Sequence, residues 1–115
     1  HLVNLIKTRD FENARKVLAV LIDTLAADPG ISDYSFRLQV YETICAAIDN
    51  IFSYAEVYDE KSKDNYEQAR KILYCYHIAE LKNTALSVFD SALMYATQQS
   101  VHQDLFIDTV CRIVE

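Results

Sequence analysis

The hydrophobic pattern is most regular over residues 34–57, where apolar side chains recur at steps of three and four. This is the spacing of one helical face, so the segment predicts a helix of about six turns. The face consists of Phe36, Val40, Ile44, Ile48, Ile51 and Ala55. Further apolar residues widen it and leave only a narrow polar stripe. We therefore expect this helix to have neighbours on at least two sides and to lie at the centre of a bundle.

Two shorter helices are predicted before this central one. The first eight residues have the pattern of a helix end, and residues 11–27 form a second apolar face that Asp10 is suited to cap. Asp28-Pro29-Gly30 should stop the second helix, because proline cannot continue the hydrogen-bond ladder and glycine accepts a left-handed turn. Ser32 or Asp33 is then expected to cap the central helix.

After the central helix, the chain becomes fully polar between residues 58 and 64, which predicts a solvated connection. Asp64 and Glu67 have the spacing of a capping box and predict the start of a fourth helix. Its inward side chains are expected to be Tyr66, Ala69, Ile72, Leu73 and Tyr76. The next boundary is placed near Tyr76-His77, although no cap or helix breaker marks it.

From residue 78 the apolar residues form two adjacent seams on one predicted helix. The first seam runs through Ile78, Leu81, Ala85, Val88, Ala92 and Tyr95, and the second through Leu86, Phe89, Leu93 and Ala96. Two adjacent seams cannot both face a single partner helix. Either the helix is fully buried in its own bundle, or the second seam is the interface of a homodimer. Ser100 and Gln103 form another capping box, which predicts a separate last helix.

Two segments of the chain resemble each other. Residues 11–18 read FENARKVL and residues 66–73 read YEQARKIL, at a separation of 55 positions. Tetratricopeptide repeats recur at about 34 residues and carry further signature positions that are not found here. We interpret the pair as two amphipathic helix starts built from good helix formers.

Composition agrees with a helical fold. The 115 residues include one glycine and one proline, which leaves little material for the tight turns of a β-protein. The length fits one domain, and 51% hydrophobic with 24% charged residues is a globular composition. We predict an all-α fold: one helical domain over residues 1–115, an antiparallel bundle of about five to six helices with tetratricopeptide-like or up-down packing. The chain also reads as a segment excised from a longer protein.

Charge and cysteines narrow the classes of function. The net charge is −6 and the pI about 4.9, whereas a nucleic-acid-binding domain usually shows a basic patch. No apolar run is long enough to span a bilayer, and no signal-peptide pattern occurs. Cys45, Cys75 and Cys111 lie far apart in apolar stretches, as free thiols in a reducing compartment do. We therefore expect a cytoplasmic location.

The sequence shows no clear motif for a catalytic, metal or cofactor site. Cys75 and His77 are two residues apart, which on a helix places them roughly 200° apart. No Cys-x-x-Cys, His-Glu-x-x-His or glycine-rich loop occurs, so we expect no enzyme, no metal and no cofactor. Five tyrosines on apolar faces leave one alternative, a small-molecule pocket between helices. They are Tyr41, Tyr54, Tyr74, Tyr76 and Tyr95.

Several segments together resemble a known helical region. Residues 5–14 read LIKTRDFENA, and residues 78–82 read IAELK at the start of a long helix. The final residues carry the pattern of Ile107, Val110, Ile113, Val114 and Glu115. With Arg37, Glu42 and Ile48 in the central helix, this order is similar to the segment that precedes the helix-turn-helix module of multidomain AraC/XylS-type transcription regulators.

The resemblance implies a non-catalytic signal-relay and dimerisation domain. It would couple an upstream sensor to a downstream DNA-binding domain, so DNA would be contacted only through a domain absent from this chain. The chain would form a homodimer through Leu86, Phe89, Leu93 and Ala96, without membrane contact in this segment. Two alternatives remain: a tetratricopeptide-like scaffold that binds a peptide or protein, and a small-molecule-sensing helical bundle.

Overall fold

All regular structure in the described residues is helical, which confirms the predicted all-α bundle. The computed structural model describes the backbone of residues 2–55 and 60–114, and the side chains of residues 2–53 and 63–97. The elements are α1 (Leu2–Lys7), α2 (Phe11–Ala26), α3 (Asp33–Ala55), α4 (Glu60–Arg70), a 3₁₀ turn (Lys71–Tyr74) and α5 (Ile78–Val114).

The core is built around the packing of α3 on α5. These two helices share the most extensive interface, with α1 against α2 and α3, α2 against α5, and α4 against both α3 and α5. The predicted inner face of α3 is confirmed where side chains are described. Its buried members are Phe36, Val40, Ile44, Ile48 and Ile51. The predicted face member Ala55 lies outside the described side chains.

The junction between α1 and α2 depends on a left-handed residue that the sequence did not suggest. Arg9 has φ 61°, and its N–H donates to the Ile6 carbonyl while the Asp10 N–H donates to the Leu5 carbonyl. These two bonds close a Schellman motif. The Asp10 carboxylate makes no cap bond to the backbone; it accepts a hydrogen bond from the Asn13 side chain at 2.8 Å.

The turn between α2 and α3 differs from the prediction in one respect. Gly30 does not adopt a positive φ, so the expected left-handed glycine was wrong. Instead, the Asp28 carboxylate accepts a hydrogen bond from the Gly30 N–H at 2.8 Å and holds the turn. Of the two suggested caps, Ser32 fills the role, because its hydroxyl accepts a hydrogen bond from the Ser35 N–H at 3.2 Å.

Two polar stretches predicted as breaks are helical. Helix α4 begins at Glu60, so most of the predicted connection is its first turns, and Asp64 is an interior residue rather than a cap. Glutamate and lysine are good helix formers, so an exposed helical turn needs no apolar residue. Likewise, α5 passes through Ser100 and Gln103 without interruption, and the two predicted last helices are one helix of 37 residues.

Candidate functional site

The predicted dimer seam lies largely inside the monomer. Phe89 is 0% exposed and Ala96 is 7% exposed, whereas Leu86 and Leu93 are half-buried and pack against the same core. Only the two leucines therefore keep surface that a second copy could reach. The homodimer itself stays a prediction.

Helix α2 covers this side of α5. Arg15 of α2 forms a two-point ion pair with Asp90 of α5, with Nε 2.9 Å from Oδ1 and Nη2 3.2 Å from Oδ2. Two turns earlier on α5, Lys82 Nζ lies 2.9 Å from Oδ2 of Asp23, also on α2. Leu86 lies between the two ion pairs at helical spacing, so α2 packs along part of the second seam.

A cleft lies at the end of the bundle where three segments meet. They are the C-terminal end of α2 with the turn that follows, the first turns of α3, and the link between the 3₁₀ turn and α5. We call it the aromatic cleft. Its floor is formed by Leu25, Ala26, Ile31, Phe36, Cys75 and Leu81. Its rim is formed by Asp28, Asp33, Arg37, Tyr76, His77 and Ile78. The enclosed volume is about 60 Å³.

The rim combines an exposed aromatic ring with charged groups. Tyr76 is 83% exposed, and the Arg37 guanidinium lies over its ring, 5.5 Å from the centroid. Tyr34, also strongly exposed, precedes Arg37 by one turn of α3. Within the described part of the chain, neither Asp28 nor Asp33 forms an ion pair.

The outward position of Tyr76 corrects the predicted inward one. The chain tightens into the 3₁₀ turn at Lys71, and Cys75 then takes extended angles, φ −81° and ψ 121°. Its buried thiol donates a hydrogen bond to the Lys71 carbonyl at 3.2 Å, which fixes the link from inside. Because the link is not helical, the period of three and four no longer applies, and Tyr76 points to solvent.

The other predicted tyrosines whose side chains are described do not converge on one cavity. Tyr74 is 75% exposed and lies outside the cleft lining, and Tyr95 is half-buried with its ring edge-to-face with Phe52 at 6.1 Å. Tyr41 is half-buried on α3 beside Cys45. The side chain of Tyr54 lies outside the described residues. The described tyrosines thus occupy separate packing and surface positions.

The half-buried thiol of Cys45 is not activated for nucleophilic attack. Burial raises the pKa of Cys45, and a hydrogen bond to Cys45 raises the pKa of the Tyr41 hydroxyl. Both groups therefore keep their protons near neutral pH. Among the described residues, no three histidine, cysteine, aspartate or glutamate side chains are close enough to hold a metal ion.

Comparisons with known proteins give no relative. No protein-family model, curated protein or solved structure matches this chain. Within the described part of the chain, no helix combines the length and apolar character needed to cross a membrane.

Proposed function

We propose that this domain is a non-catalytic coupling module of an AraC/XylS-type transcription regulator, and that α5 transmits the signal. The observation that carries this proposal is the continuity of α5. Its first half packs into the bundle against α2, α3 and α4, and its backbone continues as one helix from Ile78 to Val114. Among the described side chains of α5, which end at residue 97, the buried ones extend from Leu81 to Ala96.

The length of α5 suits it to act as a lever. A helix of 37 residues is about 55 Å long, and the longest dimension of the protein is 64 Å. An uninterrupted helix moves as a rigid element, so a change in packing among α2, α3 and α4 displaces its C-terminal end. In this proposal an upstream sensor changes the packing, and a DNA-binding domain that follows α5 receives the displacement.

In a two-fold dimer, the spacing of the two DNA-binding units must match the spacing of the two half-sites on DNA. A displacement of the C-terminal end of α5 would change that spacing and so change DNA binding. Phe89 and Ala96 are committed to the core, so the contact with a second copy falls to the accessible side of Leu86 and Leu93. Met94 follows Leu93 in the sequence and is 64% exposed, so this part of α5 carries further exposed apolar surface.

Light scattering on the purified chain tests the dimer. We expect a dimeric wild type, and a monomer for Leu93→Glu because a charge in an apolar contact is costly. Ser91→Glu is the matched control, since Ser91 is an exposed residue of the same helix and its variant should stay dimeric. A monomeric wild type, or a dimeric Leu93→Glu variant that retains its fold, contradicts the proposed interface.

The coding sequence downstream of residue 115 tests the transcription-regulator assignment separately. We expect two helix-turn-helix units within roughly 100 residues, with basic recognition helices. A stop codon or an unrelated domain immediately after α5 contradicts this assignment and leaves the fold unaffected.

A further inference from the structure

The aromatic cleft is lined in part by exposed apolar side chains that contribute little to the core. Among the described side chains, the large apolar residues with the most exposed surface are Val20, Tyr34, Tyr74, Tyr76, Ile78 and Met94. Tyr76 and Ile78 line the cleft, and Tyr34 lies on α3 one helical turn before the rim residue Arg37. Single exposed apolar residues are ordinary, but neighbouring ones around a concave floor mark an interaction site.

The volume of the cleft selects the kind of occupant. Pockets for cofactors and small molecules usually measure roughly 300–1,000 Å³. The cleft encloses only about 60 Å³, and its floor is apolar. That space accepts a few methyl groups, as in an alanine or valine side chain, but not a cofactor ring system. The shape therefore fits an anchor side chain of another protein.

The charges on the rim indicate which charge the bound segment should carry. The rim carries two carboxylates, those of Asp28 and Asp33, and one guanidinium, that of Arg37. The Arg37 guanidinium already lies over the Tyr76 ring. The chain as a whole carries a net charge of −6. A cationic side chain next to the anchor would lie near both carboxylates and the exposed ring of Tyr76.

We propose that the aromatic cleft binds a segment of a partner protein in which a small apolar side chain stands next to a lysine or an arginine. The apolar side chain enters the floor between Phe36 and Leu81, and the cation lies against Asp28 and Asp33. Tyr76 covers the anchor from one side. This binding does not depend on the relay role of α5.

A phage-displayed library of random peptides, selected on the immobilised wild-type chain, tests the proposal. We expect an enriched consensus of alanine or valine next to lysine or arginine. No enrichment, or a consensus of acidic residues, overturns the proposal. A synthetic peptide of the consensus then serves as the probe for affinity measurements by fluorescence anisotropy.

Two exposed tyrosines provide a matched pair of variants. Tyr76→Ser should weaken binding of the probe at least about tenfold, because anchoring aromatic residues dominate interface energy. Tyr74→Ser removes a similarly exposed ring two residues away, outside the cleft lining, and should change binding less than about twofold. Equal losses in both variants overturn the proposal, since they indicate general adhesion to exposed rings.

The rim charge is tested with Asp33→Asn, which keeps the size of the side chain. We expect about threefold weaker binding, of the order that one exposed charge pair contributes, and a smaller dependence on salt than in the wild type. Circular dichroism and a urea midpoint equal to that of the wild type establish that each variant is folded. An unchanged affinity together with an unchanged salt dependence contradicts the acidic rim as the recognition element.

Discussion

The two segments that resemble each other, FENARKVL at residues 11–18 and YEQARKIL at residues 66–73, begin alike and end differently. In the first, buried positions follow steps of four through Ala14, Leu18 and Ile22. In the second, they follow steps of three through Ala69, Ile72 and Cys75. The first segment remains α-helical, whereas the second tightens into the 3₁₀ turn at Lys71.

The residues that follow each segment explain this difference. After Leu18 the chain supplies further apolar residues at helical spacing, including the buried Ile22, so an α-helix continues to bury its face. After Leu73 come Tyr74-Cys75-Tyr76-His77, of which cysteine is the residue type most often fully buried. A 3₁₀ turn has three residues per turn and brings Cys75 onto the buried side. Tyr74 and Tyr76 are turned outward as a result, and the aromatic cleft forms beside them.

The largest expected effect is a difference between matching leucines. Leu18 is 0% exposed, whereas its counterpart Leu73 is half-buried. Leu18→Ala should lower the free energy of unfolding by about 3 kcal/mol, and Leu73→Ala by about 1 kcal/mol, because the cost of truncation follows burial and the cavity left behind. Urea denaturation measures both. Equal losses at the two positions would mean that the two segments are packed alike, contrary to the structure.

The shared alanines should respond in the same way. Ala14 and Ala69 are both 0% exposed, so a larger side chain has no room at either position. Ala14→Leu and Ala69→Leu should each cost about 2 kcal/mol through overpacking. Calorimetric unfolding of the two variants checks this, with Ala46→Leu, at an exposed position of α3, as a control that should stay near the wild type. A large loss of stability in only one of the two variants would show that Ala14 and Ala69 are not packed alike.

Alkaline pH should lower the free energy of unfolding through Cys45 and Tyr41, two residues of α3 whose pKa values are affected by Arg70 of the second segment. Burial raises the pKa of Cys45 above its ordinary value, and the hydrogen bond to Cys45 raises the pKa of Tyr41. Arg70 of the second segment opposes both shifts. A raised pKa in the folded state means that this stability is present below the unfolded pKa and is lost as pH rises through the folded one. Urea midpoints from pH 8 upward should therefore fall, and less steeply for Cys45→Ala. An identical slope in wild type and variant would contradict this assignment.

The smallest expected effect concerns the matching arginines. Arg15 pairs with Asp90, a hydrogen bond that raises the pKa of Arg15, whereas Arg70 acts on Tyr41 and Cys45 of α3. A double-mutant cycle of Arg15→Ala with Asp90→Asn should give a coupling of about 0.5 kcal/mol, because both side chains are nearly half exposed. The cycle of Arg70→Ala with Asp90→Asn is the control and should be additive within error.

The parts of the fold that the sequence predicted are those in which helical spacing persists. The inner face of α3 and the bounds of α2 follow from it directly, because regular apolar steps leave only one face to bury. The start of α5 at Ile78 also agrees with the sequence prediction. Polar stretches were less informative, since Glu60 to Asp64 and Ser100 to Gln103 contain residues that favour exposed helix as readily as a connection.

The aromatic cleft could not be predicted because its formation depends on a change of helix type. The expectation that Tyr76 points inward assumed an unbroken period through residues 66–76, and no glycine or proline warned of the break. Similarly, the apolar spacing predicts the second seam of α5, but the ion pairs of Arg15 and Lys82 that hold α2 against it connect residues 75 and 59 positions apart. Such pairings become visible only when the helices are packed.

The Cα secondary chemical shifts of residues 60–80 test the central claim most directly, namely that the second segment breaks into a 3₁₀ turn and an extended link. We expect helical shifts for α4, reduced ones across Lys71–Tyr74, a shift of extended sign at Cys75, and helical shifts again from Ile78. An unbroken run of full helical shifts from Glu60 into α5 would contradict the account, because Tyr76 would then lie on a helix and the aromatic cleft would not exist.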